Sequence, residues 1–113
     1  MTPDNDGVAA RAMTHALLTS QQPEEALALG TGWADAGEDV TVVLLDAATA
    51  VLRPGHDAAD GLAAARAAGV RIWAHADAVT ERVVEPRDAS VELVDLDAVA
   101  TVLGDPDTRA QWW

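Results

Sequence analysis

From residue 40 the sequence reads VTVVLL, and Asp46 follows directly. The run is continuous, apolar and rich in β-branched side chains, which is typical of a strand that helices cover on both faces. Strands of that kind belong mainly to parallel sheets. Residues 40–45 are therefore predicted to form an inner strand of an α/β fold.

Strand-like and helix-like patterns alternate on both sides of this run. Three further short apolar runs predict strands: residues 15–19, 70–74 and 91–94. Helical patterns lie between them: residues 23–36, 47–52, 58–68, 77–82 and 95–103. The last segment, 105–113, fits either a helical turn or a closing edge strand. This alternation predicts a three-layer α/β/α sandwich with a mostly parallel sheet of four to five strands and right-handed crossovers.

Single residues indicate where helices begin, end or approach the sheet. Ser20 and Asp95 are predicted to be N-terminal caps, and Gly37 suits a helix end. Gly30 lies in mid-helix, which indicates a close approach to the sheet. The last helix is predicted to carry its apolar residues on one face: Leu96, Val99, Ala100 and Leu103.

The composition limits the possible functions. The chain has 113 residues, which fits one domain over residues 13–113 after a flexible tail over residues 1–12. It has 19 acidic against 7 basic residues and a net charge of -12, which argues against nucleic acid and anionic membranes as partners. The polar, acidic N-terminus and the absence of a long apolar run favour the cytoplasm. Cysteine is absent from the sequence, which excludes thiolate chemistry and cysteine-ligated metals, and no cofactor is expected.

The order of elements resembles the DsrE/DsrF/DsrH-like family of small sulfur-relay proteins. Residues 23–29 (PEEALAL) and 34–44 (ADAGEDVTVVL) look like the family's first helix and second strand. Residues 63–73 (AAARAAGVRIW) look like its next helix and strand, and residues 81–84 (ERVV) fall where the family often has an Arg-Gly pair. The resemblance covers roughly residues 14–113 and implies a compact α/β/α fold.

The same resemblance implies a function and an assembly. Active members carry persulfide sulfur on a cysteine just after the third strand, which corresponds to His75 or a near neighbour. Because an imidazole cannot replace a thiolate as a carrier of sulfane sulfur, the resemblance implies a non-catalytic structural or binding subunit related to sulfur metabolism. It further implies a homo-oligomer, trimer or hexamer, or an assembly with related DsrE-like subunits. Val83 stands where the family usually has glycine.

A different class of function follows from the polar residues near the predicted strand ends. His75, Asp77, Glu81, Arg82 and Asp46 could form the mouth of a small-ligand or metal-binding site, or of an enzyme without thiol chemistry. The simpler interpretation is that His75 lies in a loop, Asp46 and Asp77 cap helical turns, Glu81 is solvated, and Arg82 forms a surface ion pair.

Trp112 and Trp113 form the third candidate site. Two large aromatic side chains are poor choices for a free tail, so they are predicted either to fold back onto the domain or to bury in a subunit interface. The second possibility suggests a module that binds a partner through this pair.

Overall fold

A five-stranded parallel sheet forms the centre of the structure, a computed structural model that describes residues 14–53, 55–82 and 91–113. The strands are β1 (Thr14–Thr19), β2 (Asp39–Leu44), β3 (Arg71–His75), β4 (Val91–Val94) and β5 (Thr108–Trp112). They lie in the order β4-β3-β2-β1-β5, and every neighbouring pair is parallel. The predicted α/β fold with a parallel sheet is thereby confirmed. The predicted tail over residues 1–12 and Val83 lie outside the described residues.

The helices divide unequally between the two faces of the sheet. They are α1 (Pro23–Asp35), a 3₁₀ helix (Asp46–Leu52), α2 (Ala59–Ala67), α3 (Ala76–Glu81) and α4 (Leu96–Leu103). From β1 to β4 the chain steps in one direction, so right-handed crossovers place α1, the 3₁₀ helix and α2 on one face, here the α1 face. The chain then returns to β5 at the opposite edge, and α4 covers the other face, here the α4 face.

Side-chain alternation along the inner strands builds two apolar layers. On the α1 face, Leu17 and Val42 are fully buried with Leu27 of α1. On the α4 face, Leu18 and Val43 pack with Val99. Because both faces of β1 and β2 are covered, their side chains are buried almost without interruption, as the continuous run from residue 40 predicts.

Gly30 and Gly37 have the roles that the sequence indicates. A Cβ atom on Gly30 would lie 3.3 Å from side-chain carbons of both Val40 and Val42, so the glycine lets α1 approach β2 closely. Gly37 follows α1 with φ of 93°, a conformation that glycine adopts without strain. The predicted Ser20 cap is wrong, because α1 begins after Gln22 and no side chain caps it.

The last two elements, α4 and β5, decide between the two predictions for the final segment and correct the prediction of a buried apolar face on α4. Residues 108–112 form an edge strand rather than a helical turn. In α4, Asp95 caps the helix as predicted, since its Oδ1 accepts a hydrogen bond from Ala98 N at 2.9 Å. The predicted apolar face is only partly buried: Val99 is buried, whereas Leu96 and Leu103 are 58% and 40% exposed. In the part of the chain that the structure describes, no helix is long and apolar enough to span a membrane.

Candidate functional site

The predicted mouth residues lie where β2 and β3 end. Asp46 comes two residues after the last residue of β2, and His75 is the last residue of β3. Asp77 and Glu81 belong to α3, and Arg82 directly follows it. Because α3 packs beside the 3₁₀ helix, the chain brings Arg82 across to Asp46, which lies 36 positions earlier in the sequence.

Arg82 is the centre of the polar contacts at this mouth. Its guanidinium Nη2 donates a hydrogen bond to Asp46 Oδ1 in an ion pair, and its Nη1 donates to Ala78 O at 3.4 Å. Arg53 Nη2 donates to the main-chain oxygen of Arg82 at 3.3 Å. The Arg82 side chain is 25% exposed, and the carboxylate of Asp46 is 71% exposed. Arg82 is therefore already paired, as the simpler interpretation of this residue expects.

Asp46 has an unusual backbone conformation. Its φ is 48°, and it is the one non-glycine residue in the described ranges with a positive φ. Aspartate tolerates this left-handed region better than most residues, although at some cost. Its side chain contacts Arg82 instead of capping the 3₁₀ helix, and no side chain caps α3, so the capping roles predicted for Asp46 and Asp77 are wrong. Strained residues of this kind are concentrated at functional sites.

His75 stands apart from the Arg82 contacts. Its Nε2 lies 3.9 Å from Asp77 Oδ2, which is too long for a hydrogen bond. The Asp77 and Glu81 side chains are 88% and 75% exposed, and Glu81 lies 3.7 Å from Arg82. Within the described residues, no group of three or more histidine and carboxylate side chains could hold a metal ion. The geometry thus supports a polar mouth around Arg82 rather than a metal centre.

The two terminal tryptophans lie at another part of the same sheet end. Parallel α/β sheets bind ligands where the strand order reverses, which is beside β1 and β5 here. Trp113 occupies that position: its N donates to Leu18 O at 2.7 Å, and its O accepts from Ser20 N at 3.3 Å. The Trp113 side chain packs on the α1 face. Trp112 pairs in register with Leu18, which places it on the α4 face, and it is 63% exposed. Trp113 therefore folds back onto the domain, whereas Trp112 stays exposed.

A buried histidine contact that the sequence did not predict lies at the amino end of the sheet. His15 is 7% exposed, and its Nε2 lies 2.6 Å from Glu38 Oε1. Its ring lies against Trp33, with ring centroids 4.1 Å apart. The β-α-β crossover could have predicted this contact, because the start of β1, the end of α1 and the start of β2 meet at one edge in any such unit.

Comparisons with known proteins identify the fold. A scan against protein-family models and a search of curated proteins found no match to the sequence. Solved structures do match: the YchN protein from E. coli superposes with a TM-score of 0.69 at 16% identity, covering 89% of this chain and 100% of that one.

Two structures of proteins of unknown function match equally well. BT1422 from Bacteroides thetaiotaomicron has a TM-score of 0.71 at 11% identity and covers 88% of this chain and 94% of its own. MTH1491 from Methanobacterium thermoautotrophicum has a TM-score of 0.69 at 12% identity, with 91% and 100% covered. The chain thus has the DsrE/YchN-like fold, and at these identities the likeness concerns the fold alone.

Proposed function

We propose that this protein is a non-catalytic, DsrE-like structural or binding subunit related to sulfur metabolism. We propose further that it works as a homo-oligomer, a trimer or hexamer, or together with related DsrE-like subunits, in the cytoplasm. The observation that carries the proposal is the combination of this fold with a sequence that has no cysteine.

Sulfur relay requires a chemical group that this chain lacks. A thiolate attacks the outer sulfur of a donor persulfide, a new S–S bond forms, and the donor leaves as its own thiolate. The acceptor must be a soft, ionisable sulfur atom. His75, at the end of β3, offers an imidazole nitrogen, which moves protons or binds metals but does not hold sulfane sulfur. The protein would therefore support a relay by binding or assembly and not by carrying sulfur.

Sulfur loading tests this proposal directly. Purified protein is incubated with a small-molecule persulfide, freed of the donor, and its intact mass is measured. The wild type should gain no sulfur. The matched variant His75→Cys places a thiol at the end of β3, and it should gain sulfur, which shows that the donor is competent. Stable sulfur uptake by the wild type would contradict the proposal.

The unusual backbone of Asp46 favours a second candidate function, a small-anion-binding site at the mouth. An anionic ligand could replace the exposed Asp46 carboxylate on the guanidinium of Arg82, with His75, Asp77 and Glu81 lining the approach. Arginine suits such a role because its fork of donors matches carboxylate and oxyanion geometry. The ion pair with Asp46 would then be the unliganded state of the site.

Thermal melts with carboxylates, phosphate and sulfur oxyanions test this candidate. At least one anion should raise the melting temperature of the wild type, and Asp46→Asn should respond at lower anion concentrations because its Arg82 is no longer paired. Arg82→Gln should lose the response, whereas Arg66→Gln, away from the mouth, should keep it. An equal response in wild type and Arg82→Gln would rule out this site.

A further inference from the structure

Strand β5 leaves most of one edge of its backbone unpaired among the described residues. On the β1 side, Trp113 N donates to Leu18 O, and Trp113 O accepts from Ser20 N. The residues of β5 that bond to β1 are therefore the odd-numbered ones, in the register that pairs Leu18 with Trp112. Main-chain groups alternate in direction along a strand. Thr108, Ala110 and Trp112 therefore direct their main-chain groups away from β1. Thr108 N donates to Asp105 O at 3.1 Å, and the remaining groups form an edge that is a template for pairing with another strand.

The charge distribution favours a second copy of this chain as the pairing partner. Two chains with a net charge of -12 repel each other over most of their surface. Residues 108–113 are an exception, because they contain Arg109 and no acidic side chain. Acidic residues flank both outer strands, Asp95 after β4 and Asp107 before β5, but only β4 carries an acidic side chain within the strand, the exposed Glu92. Self-pairing through β5 therefore avoids a like-charge contact that β4 would impose.

Two exposed apolar side chains lie in positions that this pairing would bring together. Trp112, at the end of β5, is 63% exposed on the α4 face. Leu103, which ends α4 five residues before Thr108, is 40% exposed. In an antiparallel pair the end of one β5 lies beside the start of the other. Trp112 of each chain would then lie near Leu103 of the other, which removes apolar surface from water.

We propose that two copies of the chain pair antiparallel through β5, with the two-fold axis at Ala110, and so join their sheets into one. In this register Ala110 faces its own copy, and Thr108 faces Trp112 in both directions. The Ala110 pair exchanges two main-chain hydrogen bonds. Each Thr108–Trp112 pair forms one, from Trp112 N–H to Thr108 O, because Thr108 N already donates to Asp105 O at 3.1 Å. The inference rests on the self-association in the proposed function and names the surface that produces it.

Substitution of Ala110 tests the pairing without disturbing β5 itself. Ala110→Pro removes the outward N–H but leaves the bonds to β1 intact, and proline is tolerated on an edge strand when its missing donor faces solvent. Ala110→Val keeps the N–H and serves as the matched control. By light scattering over a range of concentrations, the wild type and Ala110→Val should show an even number of chains, and Ala110→Pro should show half that number. Circular dichroism checks that Ala110→Pro is folded.

Cross-linking provides an independent measurement that does not require proline. Since the chain has no cysteine, a single introduced thiol can form a disulfide only between copies. Facing residues in such a pair lie about 5.5 Å apart at Cα, within disulfide range, so Ala110→Cys should oxidise to a covalent dimer. Gln111→Cys should not, because its copy lies diagonally across the axis at about 7–8 Å.

The outcomes separate this inference from the proposed function. A wild type that has the mass of one chain at every concentration overturns both the self-association and the β5 pairing. An oligomer whose mass does not change in Ala110→Pro, or equal cross-linking of the two cysteine variants, overturns the β5 pairing alone. Sulfur uptake by the wild type would contradict the non-catalytic role and leave this inference standing.

Discussion

At the scale of single residues, the contact between His15 and Glu38 offers a clear prediction. Glu38→Ala removes the acceptor 2.6 Å from His15 Nε2, and the imidazole is almost fully buried. A buried polar atom that loses its partner costs about 1–3 kcal/mol, so the free energy of unfolding should fall by that amount. Urea denaturation measures it.

The adjacent residue provides the matched control. Asp39 pairs with Arg71 at 2.8 Å, but the two side chains are 41% and 60% exposed. A surface pair of this kind contributes about 0–1 kcal/mol. Asp39→Ala should therefore lower the free energy of unfolding clearly less than Glu38→Ala does. Equal losses in the two variants would show that burial does not determine how much each contact stabilises the protein.

The same residues show which contacts a sequence can predict. The Asp95 cap was predictable because donor and acceptor lie within one helical turn. The pairing of Arg82 with Asp46 was not, since it depends on how α3 packs beside the 3₁₀ helix. The division of Trp112 and Trp113 between the two faces follows from strand alternation, but only once residues 108–112 are known to form a strand.

At the scale of elements, substitutions at two glycines of α1 are predicted to change the stability of the protein in opposite directions. Gly30→Leu would drive a large side chain into Val40 and Val42 of β2, where a Cβ alone already approaches to 3.3 Å. Overpacking of this kind costs about 1–3 kcal/mol. Gly32→Ala meets no atom within 4 Å and should stabilise the protein by about 0.5–1 kcal/mol through helix propensity. Thermal and urea melts of both variants measure this contrast, and destabilisation by Gly32→Ala would contradict it.

Most element types were predictable from apolar runs and helix-end residues, but β5 was not, because residues 108–112 (TRAQW) have no apolar period. The exposure of individual elements was not. The face of α4 formed by Leu96 and Leu103 has the amphipathic pattern of a buried face, yet both residues are exposed. Periodicity identifies an apolar face but does not show whether that face contacts its own sheet or another molecule. The Leu103 end of α4 lies near the edge strand for which we propose a second copy.

At the scale of the whole molecule, the excess of acidic residues limits both stability and assembly. A net charge of -12 on a chain of this size raises the energy of the compact state through self-repulsion. Salt shortens the range of that repulsion, since the screening length falls from about 10 Å at 0.1 M to about 3 Å at 1 M. Both folding and β5 pairing should therefore strengthen as salt is added.

Thermal melts in potassium chloride test this expectation. Between low salt and 1 M the melting temperature should rise by about 4–8 °C, which corresponds to about 1 kcal/mol for a domain of this size. A triple variant, Asp57→Asn, Glu92→Gln and Asp107→Asn, removes three exposed charges and should respond less, because it starts with less repulsion. Chloride is used because sulfate strengthens apolar burial by itself. If the wild type and the triple variant gained equally, the salt effect would not come from the carboxylates, and the charge argument for pairing through β5 would lose its basis.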